Sequence, residues 1–188
     1  EKNNQRVVRI KTDVLSMAIN LDTGAIVTAD LLQYPVSLKD QHQPISILST
    51  QPASFYTLQS GLTGADVALS AFQTKQTEYQ LQPGQNKLHV QLVATGKGVK
   101  VVRDYLFTRG EYAVTEKTQL TNQAKTAWQG GFYHQITRVE PPKQSGLTAM
   151  AYHGGSISSA TVPYHKVKFA AMREAPVNQS SPQGWVAM

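Results

Sequence analysis

Apolar and polar residues alternate with a period of two along residues 11–20, KTDVLSMAIN, and this pattern limits the possible folds most strongly. Successive side chains of a β-strand point to opposite faces, so the alternation predicts a strand with one buried face. That face carries Leu15, Met17, Ile19 and Leu21. Asp22-Thr23-Gly24 follows as a turn, because glycine adopts a positive φ at low cost, and Ala25-Ile26-Val27 begins a second strand. The segment therefore predicts a β-hairpin.

Three further strands are predicted in succession between residues 88 and 120. Glycine-containing turns at 95–98 and 109–111 separate them, which predicts antiparallel neighbours. The middle strand is predicted to place Val101, Arg103, Tyr105 and Phe107 on one face, and the third to alternate from Tyr112 to Leu120. Another strand is predicted at about 130–139, and Pro141-Pro142 ends it because proline cannot donate to a β-ladder.

Helical periodicity is scarce in this sequence. Residues 166–174, KVKFAAMRE, fit either a short helix or a strand through Val167 and Phe169. Loops are predicted at 35–54, 61–76 and 140–149, where Pro, Gly, Ser, Gln and Asn occur without a period. These patterns together predict a mainly β fold, a sandwich of two antiparallel sheets with at most one or two short helices.

Length and composition exclude several classes of protein. A chain of 188 residues suits a single domain with its own core. The absence of cysteine excludes disulfides, thiolate zinc sites and a cysteine nucleophile. The net charge is +6, but the cations are spread singly without a basic run, so no nucleic-acid partner is predicted. No apolar run approaches the ~20 residues that span a bilayer.

No motif in the sequence predicts catalysis, metal binding or cofactor binding. The five histidines, at positions 42, 89, 134, 153 and 165, do not pair at metal-ligand spacing. The pattern favours a hydrogen-bonded, part-buried role for His134 and an exposed loop position for His153 before Gly154-Gly155. Ser60 and Ser156 lack a nucleophile-elbow motif. Spacing alone leaves open two carboxyls held across a cleft. We predict no catalytic, cofactor or metal residue, and no cofactor.

Several separated stretches resemble the large periplasmic domain of YidC-type membrane protein insertases of Gram-negative bacteria. They are VRIKTDVLSMAINLDTGAIVTADLLQYP at 8–35, FYTLQSGLTG at 55–64, RGEYAVTEKTQLTN at 109–122 and QGWVAM at 183–188. Their order and spacing run through nearly the whole chain. One departure is Gln183, which precedes Gly184 where the family usually has a second glycine.

The resemblance implies a β-supersandwich, similar to mutarotase-like domains, on the periplasmic face of the bacterial inner membrane. It implies a single domain over 1–188, with a polar lead-in at 1–8 and a linker toward a membrane segment at 175–188. The parent protein would be a multi-pass membrane protein that inserts and folds membrane proteins, alone or with the Sec translocon. This domain would be non-catalytic, monomeric as a fragment, and would contact Sec components or nascent clients. The alternative is a carbohydrate-binding or carbohydrate-modifying sandwich, which the fold would also permit.

The last residues carry no charge, and their composition admits two interpretations. Tryptophan beside small and branched apolar residues is typical of the boundary between water and membrane. With the family resemblance, this predicts that the final residues begin the membrane-proximal linker; they are Gly184, Trp185, Val186, Ala187 and Met188. The other interpretation is an edge strand that closes the sandwich and packs Trp185 on it.

Overall fold

The computed structural model describes residues 6–64, 68–141, 152–177 and 184–188, and these ranges are mainly β. They contain one α-helix, α1 (Phe169–Glu174), and one turn of 3-10 helix (Pro52–Ser54). The strands are β1 (Val7–Lys11), β2 (Leu15–Asn20), β3 (Ile26–Pro35), β4 (Pro44–Leu48), β5 (Tyr56–Thr63), β6 (Glu78–Gln80), β7 (Lys87–Gly96), β8 (Val99–Thr108), β9 (Val114–Asn122), β10 (Gly131–Arg138), β11 (Gly154–Ser159), β12 (His165–Lys168) and β13 (Gly184–Ala187). The predicted mainly β class is confirmed.

The chain divides into two compact units. The larger unit comprises residues 1–51 and 55–137, and the smaller unit comprises residues 52–54 and 138–188. The organisation of residues 1–188 as one domain stays a prediction.

The predicted hairpin of β2 and β3 is confirmed in the larger unit. Both strands pair antiparallel, with a bulge between Ala18 and Ile19. The Asn20 side chain stabilises the turn, since its Oδ1 accepts hydrogen bonds from the backbone N–H groups of Asp22 at 2.8 Å and Thr23 at 3.1 Å. Gly24 then takes a φ of 70°, which explains the glycine at this position.

Two sheets build the larger unit. The first contains seven strands in the order β10-β5-β3-β2-β1-β6, with β4 also paired to β3. Its β1–β6 pair is parallel, whereas the pairs β1–β2, β2–β3 and β3–β4 are antiparallel. The second sheet is the antiparallel meander β7-β8-β9, which confirms the three successive strands predicted from the turns. Tyr112 lies just before β9 rather than inside it.

One hydrophobic core joins side chains from both of these sheets. The first sheet contributes Ile10, Met17 and Ile19, and the meander contributes Leu92 and Phe107, all of them buried. Burial alternates strictly along β8 because every second side chain points into the core. This common core confirms the predicted sandwich.

Some of the predicted loops are wrong in part. The interval 35–54 contains β4 and the 3-10 turn, and the interval 61–76 overlaps the end of β5. The short strand β4 was hard to predict because Ile45 and Ile47 face solvent and Pro44 opens the strand. Residues 65–67 and 142–149 of the predicted loops lie outside the described residues.

The smaller unit contains a separate antiparallel sheet in the order β12-β11-β13. Both alternatives for residues 166–174 occur in sequence, since β12 ends at Lys168 and α1 begins at Phe169. Gly154 and Gly155, predicted as a loop, form the start of β11, and His153 before them is partly buried rather than exposed. The small side chains of β11 give no alternation of hydrophobicity, which accounts for this error.

The two ends of the described chain are strands. Of the predicted lead-in at 1–8, residues 1–5 lie outside the described residues, and Val7 and Val8 belong to β1. Of the predicted linker at 175–188, residues 178–183 lie outside the described residues, and residues 184–187 form β13.

Candidate functional site

Arg103 is a buried cation on β8, in the row of side chains that faces the core. Only 2% of the residue is exposed. Its Nη1 donates to the backbone oxygen of Gly24 at 3.0 Å, and its Nη2 donates to the backbone oxygen of Ser60. The guanidinium carbon lies 4.6 Å from the ring centroid of Phe72. The side chain therefore connects the meander to the β2–β3 turn and to β5. It stabilises the fold and also lines the pocket described below.

Glu116 on β9 supplies the opposite charge. Its Oε1 lies 3.9 Å from Arg103 Nε and accepts a hydrogen bond from Thr118 Oγ1 at 2.9 Å. Its Oε2 accepts from Ser60 Oγ at 3.0 Å. The Glu116 side chain is 17% exposed, so little solvent reaches the ion pair and weakens it.

His134 on β10 extends this set of polar contacts to the surface. Its Nδ1 lies 2.9 Å from Ser60 Oγ, which confirms the predicted hydrogen bond. The residue is exposed, however, so its predicted part-burial is wrong; β10 lies at the edge of the seven-stranded sheet. Arg103, Glu116, Ser60 and His134 thus form a continuous polar chain from the core to solvent.

The polar chain lines a pocket between the two sheets of the larger unit. The pocket has a volume of about 190 Å³. Its other lining residues come from the same four strands, β5, β8, β9 and β10; they are Gly61, Leu62, Val101, Thr118, Phe132 and Tyr133. Phe132 is 54% exposed. A Cβ on Gly61 would meet the Tyr133 ring at 2.4 Å, so glycine is required where this ring covers β5.

The contacts of Ser60 do not form a nucleophilic triad. In such a triad the acid orients the histidine, and the histidine removes the serine proton. Here the carboxylate and the imidazole both contact the serine hydroxyl, and no bond between them is present. If the single hydroxyl proton is donated to Glu116, the serine oxygen accepts from His134 Nδ1. This arrangement can hold a polar ligand.

Tyr105 lies two residues after Arg103 on β8, on the same face. Burial raises the pKa of its hydroxyl to about 12, the nearby Glu116 carboxylate adds to this effect, and Arg103 opposes it. The Tyr105 hydroxyl and Arg103 Nε are buried and have no hydrogen-bond partner among the described residues. The core beside the pocket therefore contains polar groups that are not fully satisfied.

The polar chain could not be recognised in the sequence, although one signal of it was present. Arg103 occupies the row of Val101, Tyr105 and Phe107, which already predicted that it faces the core. Ser60 and His134 are 74 residues apart, and Ser60 and Glu116 are 56 apart, so no local motif could link them.

The predicted linker residues lie in the smaller unit. Gly184, Trp185 and Val186 pair with β11 in β13, opposite Ser159, Ser158 and Ile157. Trp185 is 49% exposed, and its ring centroid lies 6.1 Å from that of Tyr164. Ala187 completes β13 and Met188 follows it. Their role as a membrane-proximal linker stays a prediction.

Exposed apolar side chains are concentrated around the β3–β4 hairpin of the larger unit. They are Tyr34, Val36, Leu38, Ile45 and Ile47, joined by Tyr112. Leu38 is 90% exposed. Tyr34 and Tyr112 pack together with ring centroids 5.7 Å apart, and the Tyr112 hydroxyl donates to Gln33 Oε1 at 3.4 Å. Several exposed apolar side chains on one hairpin are of the kind that marks protein or membrane contact sites.

Two other kinds of feature are absent from the described ranges. Histidine and acidic side chains there do not converge in groups of three that could hold a metal ion. The helices in the same ranges are all too short to cross a bilayer.

Comparison with known proteins identifies the family. The family model of the YidC periplasmic domain matches residues 7–188. The membrane protein insertase YidC of Coxiella burnetii is 36% identical over 187 residues, which are 97% of this chain and 33% of that protein. The same-named proteins of Marinomonas sp. and Methylococcus capsulatus are 35% and 34% identical, over 97% and 100% of this chain and 35% of each relative.

The chain thus spans about a third of the length of the curated relatives it matches. The match extends through both structural units, from β1 to β13. The chain belongs to the YidC periplasmic domain family, which lies on the periplasmic face of the bacterial inner membrane.

Proposed function

We propose that this chain is the periplasmic part of a multi-pass inner-membrane protein that inserts and folds membrane proteins, alone or with the Sec translocon. The names of its relatives and the one-third coverage support this proposal. The insertion step itself belongs to the remaining part of such a protein. The periplasmic domain is a non-catalytic module, monomeric as a fragment, that contacts nascent clients and Sec components.

The observation that carries the contact role is the apolar surface of the β3–β4 hairpin. Leu38 and Tyr34 are 90% and 52% exposed, so their apolar surface is in contact with water. Covering this surface with a partner would be favourable. Nascent membrane proteins present apolar segments, whose burial against this surface would release water from both partners. The arrangement of Ser60, Glu116 and His134 supports the non-catalytic part of the proposal, because the acid contacts the serine and does not orient the histidine as it would in a nucleophilic triad.

The test is site-specific photocrosslinking in the full-length protein, in inner-membrane vesicles that synthesise a membrane-protein client. A photoreactive residue replaces Leu38, and the matched control replaces Gln82, which is exposed in the same unit. We expect adducts with the client, with Sec subunits, or with both from position 38, and much weaker adducts from position 82. Equal labelling from both positions, or none from position 38, would contradict the contact role.

The polar pocket favours a second candidate, a carbohydrate-binding function. Glu116, Ser60 and His134 can exchange hydrogen bonds with hydroxyl groups, and exposed Phe132 at the same pocket offers a ring on which a sugar could stack. The test is a glycan array and a mutarotase assay on the 188-residue chain. Saturable binding that is lost in Glu116→Gln, combined with absent crosslinks at Leu38, would replace the contact role with this one. Binding that Glu116→Gln leaves unchanged would contradict the assignment to the pocket.

A further inference from the structure

One face of the small sheet carries aromatic and lysine side chains, which we call the aromatic–lysine ladder. Four of its members are Tyr152, Lys166, Tyr164 and Trp185, and the fifth is Lys168. Lys166 Nζ lies 4.8 Å from the Tyr152 ring centroid and 5.4 Å from the Tyr164 ring centroid. The Tyr164 ring in turn lies 6.1 Å from that of Trp185. The four side chains therefore form a continuous surface.

The strand register explains why these side chains share a face. Residues directly opposite each other on neighbouring strands point to the same side of a sheet. Lys166 and Ala187 both lie opposite Ser156, Lys168 lies opposite Gly154, and Trp185 lies opposite Ser158. The central strand thus has only small residues on this face, between lysines on β12 and Trp185 on β13.

Two further contacts fix the geometry of the smaller unit. The Tyr152 hydroxyl donates to the backbone oxygen of Gly155 at 2.8 Å, which holds its ring beside the central strand. A Cβ on Gly155 would meet Met172 Cε at 2.6 Å, so α1 packs on the face opposite to the ladder. The ladder face keeps its large aromatic groups in solvent, with Tyr164 57% and Trp185 49% exposed.

The charge on the ladder face is positive. Lys166 and Lys168 are exposed, and neither pairs with a carboxylate of the described residues. The acids in the described part of this unit are Glu140 and Glu174, and Glu140 pairs with Arg173. Exposed aromatic rings beside uncompensated lysines match a membrane surface with anionic headgroups, since tryptophan and tyrosine favour the interface and lysine favours the lipid phosphates.

We propose that the aromatic–lysine ladder docks the domain on the anionic surface of the bilayer, with Trp185 and Tyr164 at the headgroup level and Lys166 and Lys168 on the phosphates. Tryptophan and tyrosine beside lysines on one face match the headgroup region of a bilayer, and this combination favours lipid as the occupant. This inference goes beyond the contact role and uses different residues. Loss of crosslinks at Leu38 and loss of lipid binding are therefore separate outcomes.

The test is flotation of the 188-residue chain with vesicles of phosphatidylglycerol and phosphatidylethanolamine, compared with phosphatidylcholine alone. We expect binding to the anionic vesicles only. Raising the salt concentration from ~0.1 M to ~1 M should weaken binding, because the Debye length falls from about 10 Å to about 3 Å. Equal binding to both kinds of vesicle, or no binding to the anionic ones, would overturn the proposal.

Matched variants locate the surface. Lys166→Gln and Lys168→Gln should each weaken binding about fivefold, which corresponds to one lysine near an anionic surface. Lys87→Gln, at an exposed lysine at the start of β7, serves as the control and should leave binding unchanged. Trp185→Ala should also weaken binding, whereas Phe132→Ala, which removes another ring of similar exposure, should not. If the ladder variants and their controls bind equally, the proposal is wrong.

Fluorescence shows whether Trp185 itself lies against the bilayer, which binding measurements alone do not show. The chain has two tryptophans, so Trp128→Phe leaves Trp185 as the sole tryptophan. Trp128 Nε1 is buried and has no hydrogen-bond partner among the described residues, so this change removes no described hydrogen bond. Emission of Trp185 should shift to shorter wavelength and become protected from acrylamide when anionic vesicles are added. An unchanged spectrum in the presence of bound vesicles would exclude Trp185 from the lipid contact.

Discussion

Arg103 in the larger unit and Lys166 in the smaller unit are both cations beside aromatic rings, and burial is the main difference between them. Arg103 lies 4.6 Å from the Phe72 ring centroid, is 2% exposed, and donates to two backbone carbonyls. Lys166 lies 4.8 Å and 5.4 Å from two tyrosine rings and is exposed. A cation–aromatic contact is worth more when it is desolvated. The buried example therefore contributes mainly to folding, whereas the exposed example is available to a ligand.

The largest effect is expected for Arg103→Met. The change removes the donors to the Gly24 and Ser60 carbonyls and leaves Glu116 partly buried without its counter-charge. Removing one partner of a buried pair typically costs about 3–5 kcal/mol. We expect the free energy of unfolding, measured by urea denaturation, to fall by roughly this amount.

The control for this prediction is Arg6→Met. Arg6 pairs with Asp22 at 3.4 Å, but the two side chains are 54% and 50% exposed. Exposed pairs contribute about 0–1 kcal/mol because solvent screens them. If the two variants lose similar stability, burial does not distinguish the two kinds of cation.

The next effect is expected for Gly24→Ala, beside the same guanidinium. A Cβ at this position would lie 2.6 Å from both Arg103 Nη1 and Phe72 Cε2, and the residue has a φ of +70°. Gly84→Ala is the matched control, because its φ is +81° and nothing lies within 4 Å of the added Cβ. Backbone strain costs about 1–2 kcal/mol at both sites, and overpacking adds about 1–3 kcal/mol at Gly24 alone. Equal losses in urea denaturation would show that the packing around Arg103 is loose.

The sequence predicted more of the larger unit than of the smaller one. The alternation along β2, β7 and β8 follows from a core on one face, so the hairpin, the meander and the inward row with Arg103 could be predicted. In β11, Gly154, Ser156 and Ser158 share a face without any apolar contrast, so the pattern predicted a loop there. The sequence does not predict strand β4, because its isoleucines are exposed to solvent and give no alternation of burial.

The candidate sites were less predictable than the strands. Ser60 and His134 meet because β5 and β10 are neighbours in one sheet, and Glu116 reaches them from β9 because the two sheets stack. The composition of the last residues points to Trp185, but its place beside Tyr164 and Lys166 depends on the register of β13 and β12 against β11. Long-range register of this kind leaves no local signal in a single sequence.

A pH-dependent effect of intermediate size is expected from Tyr105, next to Arg103. Burial, with help from Glu116, raises the pKa of Tyr105 in the folded protein from 10.0 to about 12. Between pH 10 and 12 the unfolded chain releases this proton and the folded chain retains it, so stability falls as the pH rises through this window. The total loss should approach about 3 kcal/mol, since the shift is about two pKa units and one unit corresponds to about 1.4 kcal/mol.

The comparison of Tyr105→Phe with wild type isolates this effect. The Tyr105 hydroxyl is buried and has no hydrogen-bond partner among the described residues, so its removal should cost little at neutral pH. In urea titrations at pH 9 to 12, the variant should lose less stability with pH than the wild type. Tyr79→Phe is the control. It also removes a tyrosine hydroxyl, but one that is hydrogen-bonded to Thr74 Oγ1 at 2.7 Å. A Tyr105→Phe profile parallel to that of wild type would contradict the assignment.

The smallest effect on stability is expected for Lys166→Gln, the counterpart of Arg103→Met. The change removes the two cation–aromatic contacts of Lys166, but an exposed contact of this kind contributes only about 0.5–1 kcal/mol. No buried group is left unpaired, since glutamine can still reach water from this exposed position. Urea denaturation should therefore show a loss below about 1 kcal/mol, while vesicle binding by the same variant falls about fivefold. A loss of stability as large as that of Arg103→Met would make Lys166 a structural cation too, and burial would then no longer separate the roles of the two residues.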